Sequence, residues 1–307
     1  MESVITVENL HKSYGDAVAV EDVTFKVGRG EIFGMLGPNG AGKTTTIEVL
    51  QGLRARQGGN VEVLGLDPQT HRGKLRSRIG SQLQSSALPE RLRVAEAVRL
   101  FSRLQPERVD VDRVLAAWNL TELAKRPYGT LSGGQRQRLF LALALLGDPE
   151  IVFLDELTAA LDPNARRATW QLVREIRDRG TTVVLVTHFM EEAEALCDRI
   201  AIVDQGRIVA LDSPQGLSTR SGEGLRVTFT GNGADTGFLS DLPGVSSVRT
   251  GRHDLVTVSG SPASALTVAA ELKQRGITPD DFRTHHPSLE EAFLTLTGAN
   301  LNQEETV

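Results

Sequence analysis

Residues 32–44 read Ile32-Phe33-Gly34-Met35-Leu36-Gly37-Pro38-Asn39-Gly40-Ala41-Gly42-Lys43-Thr44. Residues 32–36 form a run of buried-strand length that feeds straight into glycines. The next eight residues, Gly37 to Thr44, fit the spacing G-x-x-x-x-G-K-[ST]. A helix is predicted from Lys43 to about Leu50. Strand, glycine turn and helix in this order turn backbone N–H groups inward at a helix N-terminus, which makes a nest for an anion. Lys43 can then reach the β- and γ-phosphates of a nucleotide, and the Thr44 hydroxyl can ligate Mg²⁺. A chance glycine turn is the competing reading, and the flanking strand and helix count against it.

Further strand signals surround this loop. Residues 4–7 and 23–27 read as strands, and the apolar runs 151–154 and 183–186 have the composition of a parallel sheet buried on both faces. A helix from about Asn164 to Arg177 separates the last two runs, and residues 200–203 and 207–209 read as a hairpin around Gln205-Gly206. From Leu88 to Ala144 the period turns helical, with Val94, Val98 and Phe101 on one stripe and Val111, Val114, Leu115 and Trp118 on another. The first 220 residues are thus α/β with a helical insertion.

The run Ile151–Leu154 ends in Asp155-Glu156. Ligands of α/β folds bind beyond the C-terminal ends of parallel strands. Asp155 there can orient Mg²⁺ through its hydration shell, and Glu156 is free to polarise a water for attack on a γ-phosphate. Alone, an acid after an apolar run is as often a surface residue capping the next turn. Its pairing with the 37–44 loop gives the catalytic reading its weight.

Composition bounds the rest. The chain has 307 residues, a length suited to two domains, with 40% hydrophobic residues and a net charge of −5. The acidic balance argues against nucleic acid as a partner. The single cysteine, Cys197, cannot close an intramolecular disulfide and reads as a buried small hydrophobe. The first ten residues lack the basic and apolar regions of a signal peptide, and the longest apolar stretch, Leu139–Leu146, falls far short of the ~20 residues that span a bilayer. A soluble, cytoplasmic chain is expected, reaching the membrane only through a partner. Residues 218–224 are small and polar, as linkers are, so the boundary is drawn at 220/221. Beyond it, strand patterns at 225–229 and 255–258, a helix from Ser261-Pro262 to Gly276 and a capping box at Ser288–Glu291 suggest a small βαββαβ-like α+β domain. His285 and His286 point to opposite faces of any strand and lack zinc-ligand spacing, so no metal is expected there.

The segment Leu131-Ser132-Gly133-Gly134-Gln135-Arg136-Gln137 is, physically, a second glycine-rich helix start suited to phosphate. It resembles the signature motif of the ATP-binding cassette (ABC) ATPases. The motifs of that family occur in order: Tyr14 where an aromatic stacks on adenine, Gln84 as the Q-loop glutamine that touches the metal (Gln82 as the fallback), the signature at Ser132–Gln135, Asp155-Glu156, Asp162 of the D-loop in Ala160-Leu161-Asp162, and His188 as the switch histidine. The resemblance covers about 4–218, and 287–298 resembles the C-terminal end of daunorubicin-type exporter subunits.

It implies a P-loop NTPase fold, a RecA-like α/β core with a helical subdomain at about 85–145, and a C-terminal accessory domain at 221–307. It implies ATP and Mg²⁺ as ligands, with nucleotide contacts from Tyr14 and from Gly37, Pro38, Asn39, Gly40, Ala41, Gly42, Lys43, Thr44 and Thr45. Metal contacts fall to Thr44, Gln84 and Asp155, and catalysis to Glu156 and His188. Ser132, Gly133, Gly134 and Gln135 would face the ATP of a second cassette in a homodimer or heterodimer. The implied partner is a separately encoded transmembrane permease, with the chain peripheral on the cytoplasmic face of the membrane and export favoured by the tail. Two positions depart from the family: Leu157 stands where Pro is usual and Ala160 where Gly is frequent, both near the D-loop. A soluble ABC-type ATPase of DNA repair, chromosome structure or translation is the alternative. Lys43 and Ser132 are only 89 positions apart without sustained heptads, which leaves no room for long coiled coils. A GTPase or small-molecule kinase would leave residues 131–135 unexplained.

Overall fold

The computed structural model describes residues 2–82, 87–105, 109–159, 161–220, 224–279, 281–285 and 287–298. They divide into two units, 1–213 and 214–307.

In the first unit, β1 (Ser3–Tyr14) and β2 (Ala17–Gly28) pair antiparallel through a tight turn at Gly15, then β3 (Ile32–Leu36) leads into α1 (Lys43–Leu50). β4 (Gly58–Val63), α2 (Arg72–Arg76) and β5 (Ile79–Gln82) follow. The helical stretch holds α3 (Val94–Ser102), α4 (Val111–Ala117) and α5 (Gly133–Ala144). The chain then returns through β6 (Ile151–Asp155), α6 (Pro163–Asp178), β7 (Thr182–Thr187), α7 (Met190–Leu196), β8 (Arg199–Asp204) and β9 (Arg207–Asp212).

Nine strands among the described residues make one sheet in the order β4-β1-β2-β9-β8-β3-β7-β6-β5. Its centre is parallel: β3 lies between β8 and β7, and β6 joins β7 to β5. Every residue of β3, β6 and β7 is buried, which matches their unbroken apolar sequences. Phe25 stacks on Phe33 at 5.1 Å between centroids inside a core that runs from Val4 and Ile5 to Val186 and Val203. Close packing reaches the backbone at Gly34, where a Cβ would fall 2.6 Å from Cys197 Sγ. That thiol is buried, and its burial pushes its pKa far above the ordinary range. The helices α3, α4 and α5 share a second core built on Val94, Val98, Leu115 and Leu139.

The second unit holds α8 (Pro214–Arg220), β10 (Leu225–Thr230), β11 (Val245–Thr250), β12 (Leu255–Gly260), α9 (Ser264–Gln274), β13 (Arg283–His285) and α10 (Leu289–Thr297). Its antiparallel sheet has the order β11-β12-β10-β13, with Val227, Phe229, Val256 and Val258 packed under Val268 and Leu272 of α9. From β10 to β13 the elements keep the expected βαββαβ order, with a 3₁₀ helix at Gly237–Asp241 in the place of the first helix. No α-helix separates β10 from β11, because Gly231, Gly233, Gly237, Pro243 and Gly244 allow only a 3₁₀ turn at Gly237–Asp241. Residues 218–220, read as linker, belong to α8, and 221–223 lie outside the described residues. His285 Nε2 lies 3.2 Å from the Thr228 hydroxyl, while His286 is outside the described residues.

Phe33 carries much of the first core. Phe33→Ala is expected to cost about 3–5 kcal/mol, read as a lowered urea midpoint with the slope of the transition unchanged.

Candidate active site

The parallel strands β3, β6 and β7 stop at one level. Leu36 is paired with Thr187, and Val186 with Asp155, so Gly37, Glu156 and His188 all leave the sheet from the same edge.

The 37–42 loop is closed by its own backbone. The Ala41 N–H donates to Pro38 O at 3.3 Å, and Ala41 O accepts from the Gly206 N–H at 3.0 Å. Gly42 has φ +99°, and a Cβ there would lie 2.2 Å from Ala19 O, so only glycine lets β2 approach the loop. α1 follows the Gly42 N-cap, which makes no side-chain cap hydrogen bond, so the loop leads straight into a helix N-terminus. Lys43 is buried beneath the loop, where its Nζ donates to Gly37 O at 2.7 Å and Pro38 O at 2.8 Å. Asn39 and Gly40 are exposed at the rim, and Thr45 is half-buried one residue into the helix.

Asp155 is buried at the end of β6. Its Oδ2 accepts from the Thr44 hydroxyl at 3.4 Å, and its Oδ1 is buried without a hydrogen-bond partner. A buried carboxylate oxygen without a donor is costly. A hard dication would satisfy it, and a carboxylate with a hydroxyl is a donor set that suits Mg²⁺. Burial first, and then the charge of Glu156, push the Asp155 carboxyl up to about 6, against the Thr44 bond and the Lys43 charge.

Glu156 turns away from the strand in the left-handed region, φ +49°, a conformation that costs a non-glycine residue roughly 1–2 kcal/mol. Its N–H is held by Val186 O at 2.9 Å, and its Oε1 lies 3.2 Å from His188 Nδ1. The His188 ring packs on Phe189 with centroids 4.0 Å apart, and the Arg166 guanidinium lies 4.6 Å from the Phe189 ring centre.

The remaining residues lie as follows. Tyr14 ends β1 with 43% of its surface exposed, and Lys12 and Arg54 hold cations 5.1 and 5.7 Å from its ring centre. Gln84 lies outside the described residues, whereas Gln82 is buried at the end of β5 with an unpartnered Oε1. Ser132 caps α5: its Oγ accepts from the Gln135 N–H at 3.3 Å and its N–H donates to Gln135 Oε1 at 3.0 Å. Both side chains thus close on their own helix start. Asp162 caps α6, accepting from the Asn164 and Ala165 N–H groups at 3.0 Å each. Leu157 is buried, and Ala160 lies outside the described residues.

The structure adds residues that sequence reading passed over. Glu192 of α7 is fully buried, and its Oε1 accepts from the Thr158 hydroxyl at 2.7 Å and from Trp170 Nε1 at 3.0 Å. In Met190-Glu191-Glu192-Ala193-Glu194 it is one of three acids at a helix start, and nothing local distinguishes it from the other two.

A glycine loop over a buried lysine, a buried aspartate with an unsatisfied oxygen and a glutamate–histidine pair thus share one sheet edge. Residues 20–159 match the ABC transporter family. A daunorubicin resistance ATP-binding protein of Streptomyces coeruleorubidus is 37% identical, covering 99% of each chain. A linearmycin resistance ATP-binding protein of Bacillus subtilis is 32% identical over 97% of this chain and 99% of its own. The solved dimeric structure of an ATP-binding cassette bound to ADP and Pi is similar at TM-score 0.62 and 26% identity, covering 68% of this chain and 98% of that one. The chain belongs to the ATP-binding subunits of ABC transporters.

The buried Asp155 has a consequence for stability. Its pKa is raised by folding, so the stability it contributes is full below the unfolded value near 4 and is lost as the pH rises through about 6. Without Mg²⁺ and nucleotide, Asp155→Asn is expected to be more stable than the parent at pH 7.5 by roughly 1–3 kcal/mol. In thermal melts the gap should close as the pH falls towards 4.

Proposed function

We propose that this chain hydrolyses ATP with Mg²⁺ and so powers export of a drug or other hydrophobic compound through a separately encoded transmembrane permease. It would work as a head-to-tail dimer on the cytoplasmic face of the membrane. The observation that carries the reading is the convergence of Lys43, Thr44, Asp155, Glu156 and His188 on one sheet edge.

In this reading the loop N–H groups of 37–45 and Lys43 hold the β- and γ-phosphates, with the Lys43 ammonium exchanging its Gly37 and Pro38 carbonyls for phosphate oxygens. The adenine stacks on Tyr14. Thr44 and Asp155, with Gln84, hold Mg²⁺, which when bound neutralises charge on the phosphates. Glu156 orients a water and takes its proton as the water oxygen attacks the γ-phosphorus. The bond from that phosphorus to the bridging oxygen breaks, and ADP leaves. His188, hydrogen-bonded to Glu156, contacts the γ-phosphate and keeps the base aimed at the water.

The export reading is supported by the drug-resistance names of the relatives that match this chain nearly end to end. Among the described residues no helix is long and apolar enough to cross a membrane. A groove of about 920 Å³, lined by Leu53, Arg72, Arg76, Phe101, Leu104 and Phe140, lies between the helical stretch and the sheet. Leu53 and Leu104 are exposed there, and a segment of the permease would cover them. Residues 221–307 would be an accessory domain without nucleotide chemistry.

Glu156→Gln keeps the shape of the side chain and removes the base. Purified Glu156→Gln protein is expected to bind ATP at the parental affinity while turnover drops at least tenfold, within the ~10²–10⁴ typical of general bases. Parental turnover would sink the assignment.

A dimer would give the Ser132–Gln135 helix start an anion to face. One cassette neutralises only one side of the triphosphate, and a partner's Ser132–Gln135 would close the other, giving two composite sites related by a two-fold axis. Light scattering on Glu156→Gln protein should show the mass double on adding ATP and Mg²⁺. Adding Ser132→Arg should keep it monomeric, and dimerisation indifferent to both would overturn the sandwich.

A further inference from the structure

A buried acid that the proposed chemistry does not use ties the site together from below. Glu192 has no exposed surface, yet it sits on α7 four residues beyond His188. One of its oxygens, Oε1, receives both the Thr158 hydroxyl and the Trp170 indole N–H, while Oε2 is buried without a partner. The donors come from two other segments. Thr158 is itself fully buried, two residues past Glu156. The turn it belongs to is short: Glu156 O accepts from the Ala159 N–H at 3.4 Å, and Thr158 O accepts from the Leu161 N–H at 3.1 Å, next to Asp162. Trp170 belongs to α6, the helix that Asp162 caps. One carboxylate oxygen therefore fastens the loop carrying Glu156, the helix beginning at Asp162 and the helix after His188.

Position matters here because Glu156 is held in left-handed backbone, a conformation that persists only where the surroundings over-determine it. The Glu156 N–H bond to Val186 fixes one end of the turn. The Thr158–Glu192 bond fixes the other. Losing the oxygen that accepts both bonds strands two buried donors in a dry interior.

We infer that Glu192 is a positioning residue for hydrolysis, setting the attitude of Glu156 and His188 and linking it to Asp162 through Thr158 and Trp170. The inference rests on the proposed role of Glu156 as base. It does not involve the phosphate loop, so nucleotide binding should be spared.

The test compares full-length Glu192→Gln, Glu192→Met and Trp170→Phe with the parent. Each is assayed for ATP turnover as a function of ATP concentration and for binding of a fluorescent ATP analogue, with Glu156→Gln as reference. Glutamine keeps an acceptor oxygen for both donors, so Glu192→Gln should turn over within about threefold of the parent. Glu192→Met should lose tenfold or more in kcat with KM and analogue binding unchanged, and Trp170→Phe should lose an intermediate amount in kcat alone. A purely structural role predicts lower melting temperatures with kcat per folded molecule intact in all three, which overturns the inference. Equal loss in Glu192→Gln and Glu192→Met also overturns it. If Glu192→Met does not fold, Trp170→Phe decides: unchanged kcat refutes the link. A Glu156→Gln protein that retains turnover would refute the base assignment instead, so the two failures are separable.

Discussion

The structure depends on three buried strands ending together. β3, β6 and β7 have no side chain in water, so their register is fixed by burial on both faces as well as by backbone bonds. That register pairs Leu36 with Thr187 and Asp155 with Val186, so the three strands end within one residue of each other and Gly37, Glu156 and His188 leave from one edge. A one-residue slip of β6 against β7 would turn Asp155 to the opposite face and carry Glu156 away from His188. The register that buries the central sheet therefore also sets the geometry of the site.

A tension sits on that edge. Asp155 is buried beside a second acid, with one oxygen unpaired, and both circumstances disfavour its charge. Lys43 lies nearby, but its ammonium bonds are made to the Gly37 and Pro38 carbonyls. Strain in the backbone of Glu156 adds to the cost. Stability is given up locally at the site and supplied by the packed interior around it, from Phe33 to Val203.

The site was legible in the sequence to the extent that its chemistry is local. The 37–44 loop, its helix and the Asp155-Glu156 pair are each written in consecutive residues, and α1 runs over the predicted Lys43–Leu50. β4 and β5 passed unnoticed because Gly58-Gly59-Asn60 and Gly80-Ser81-Gln82 look like loop; their pairing with β1 and β6 overrides local preference. Glu192 was hidden for a related reason. Its burial is decided by Thr158 and Trp170, 34 and 22 positions away, and an acid in a first helical turn otherwise reads as solvated. In the second unit the expected first helix is a 3₁₀ helix, in a stretch rich in glycine.

Gly34 and Cys197 close one flank of this sheet, with the sulfur occupying the volume that a side chain on β3 would fill. The thiol is the only one in the chain, is shielded from water, and is held in its unreactive protonated form. Maleimides and disulfide reagents can reach it only in molecules whose α7 has come away from the sheet. Its rate of labelling is accordingly a clock for that opening, built into the chain without any engineered probe, and any ligand that tightens the sheet edge would slow the clock by the fraction of time it keeps the flank shut.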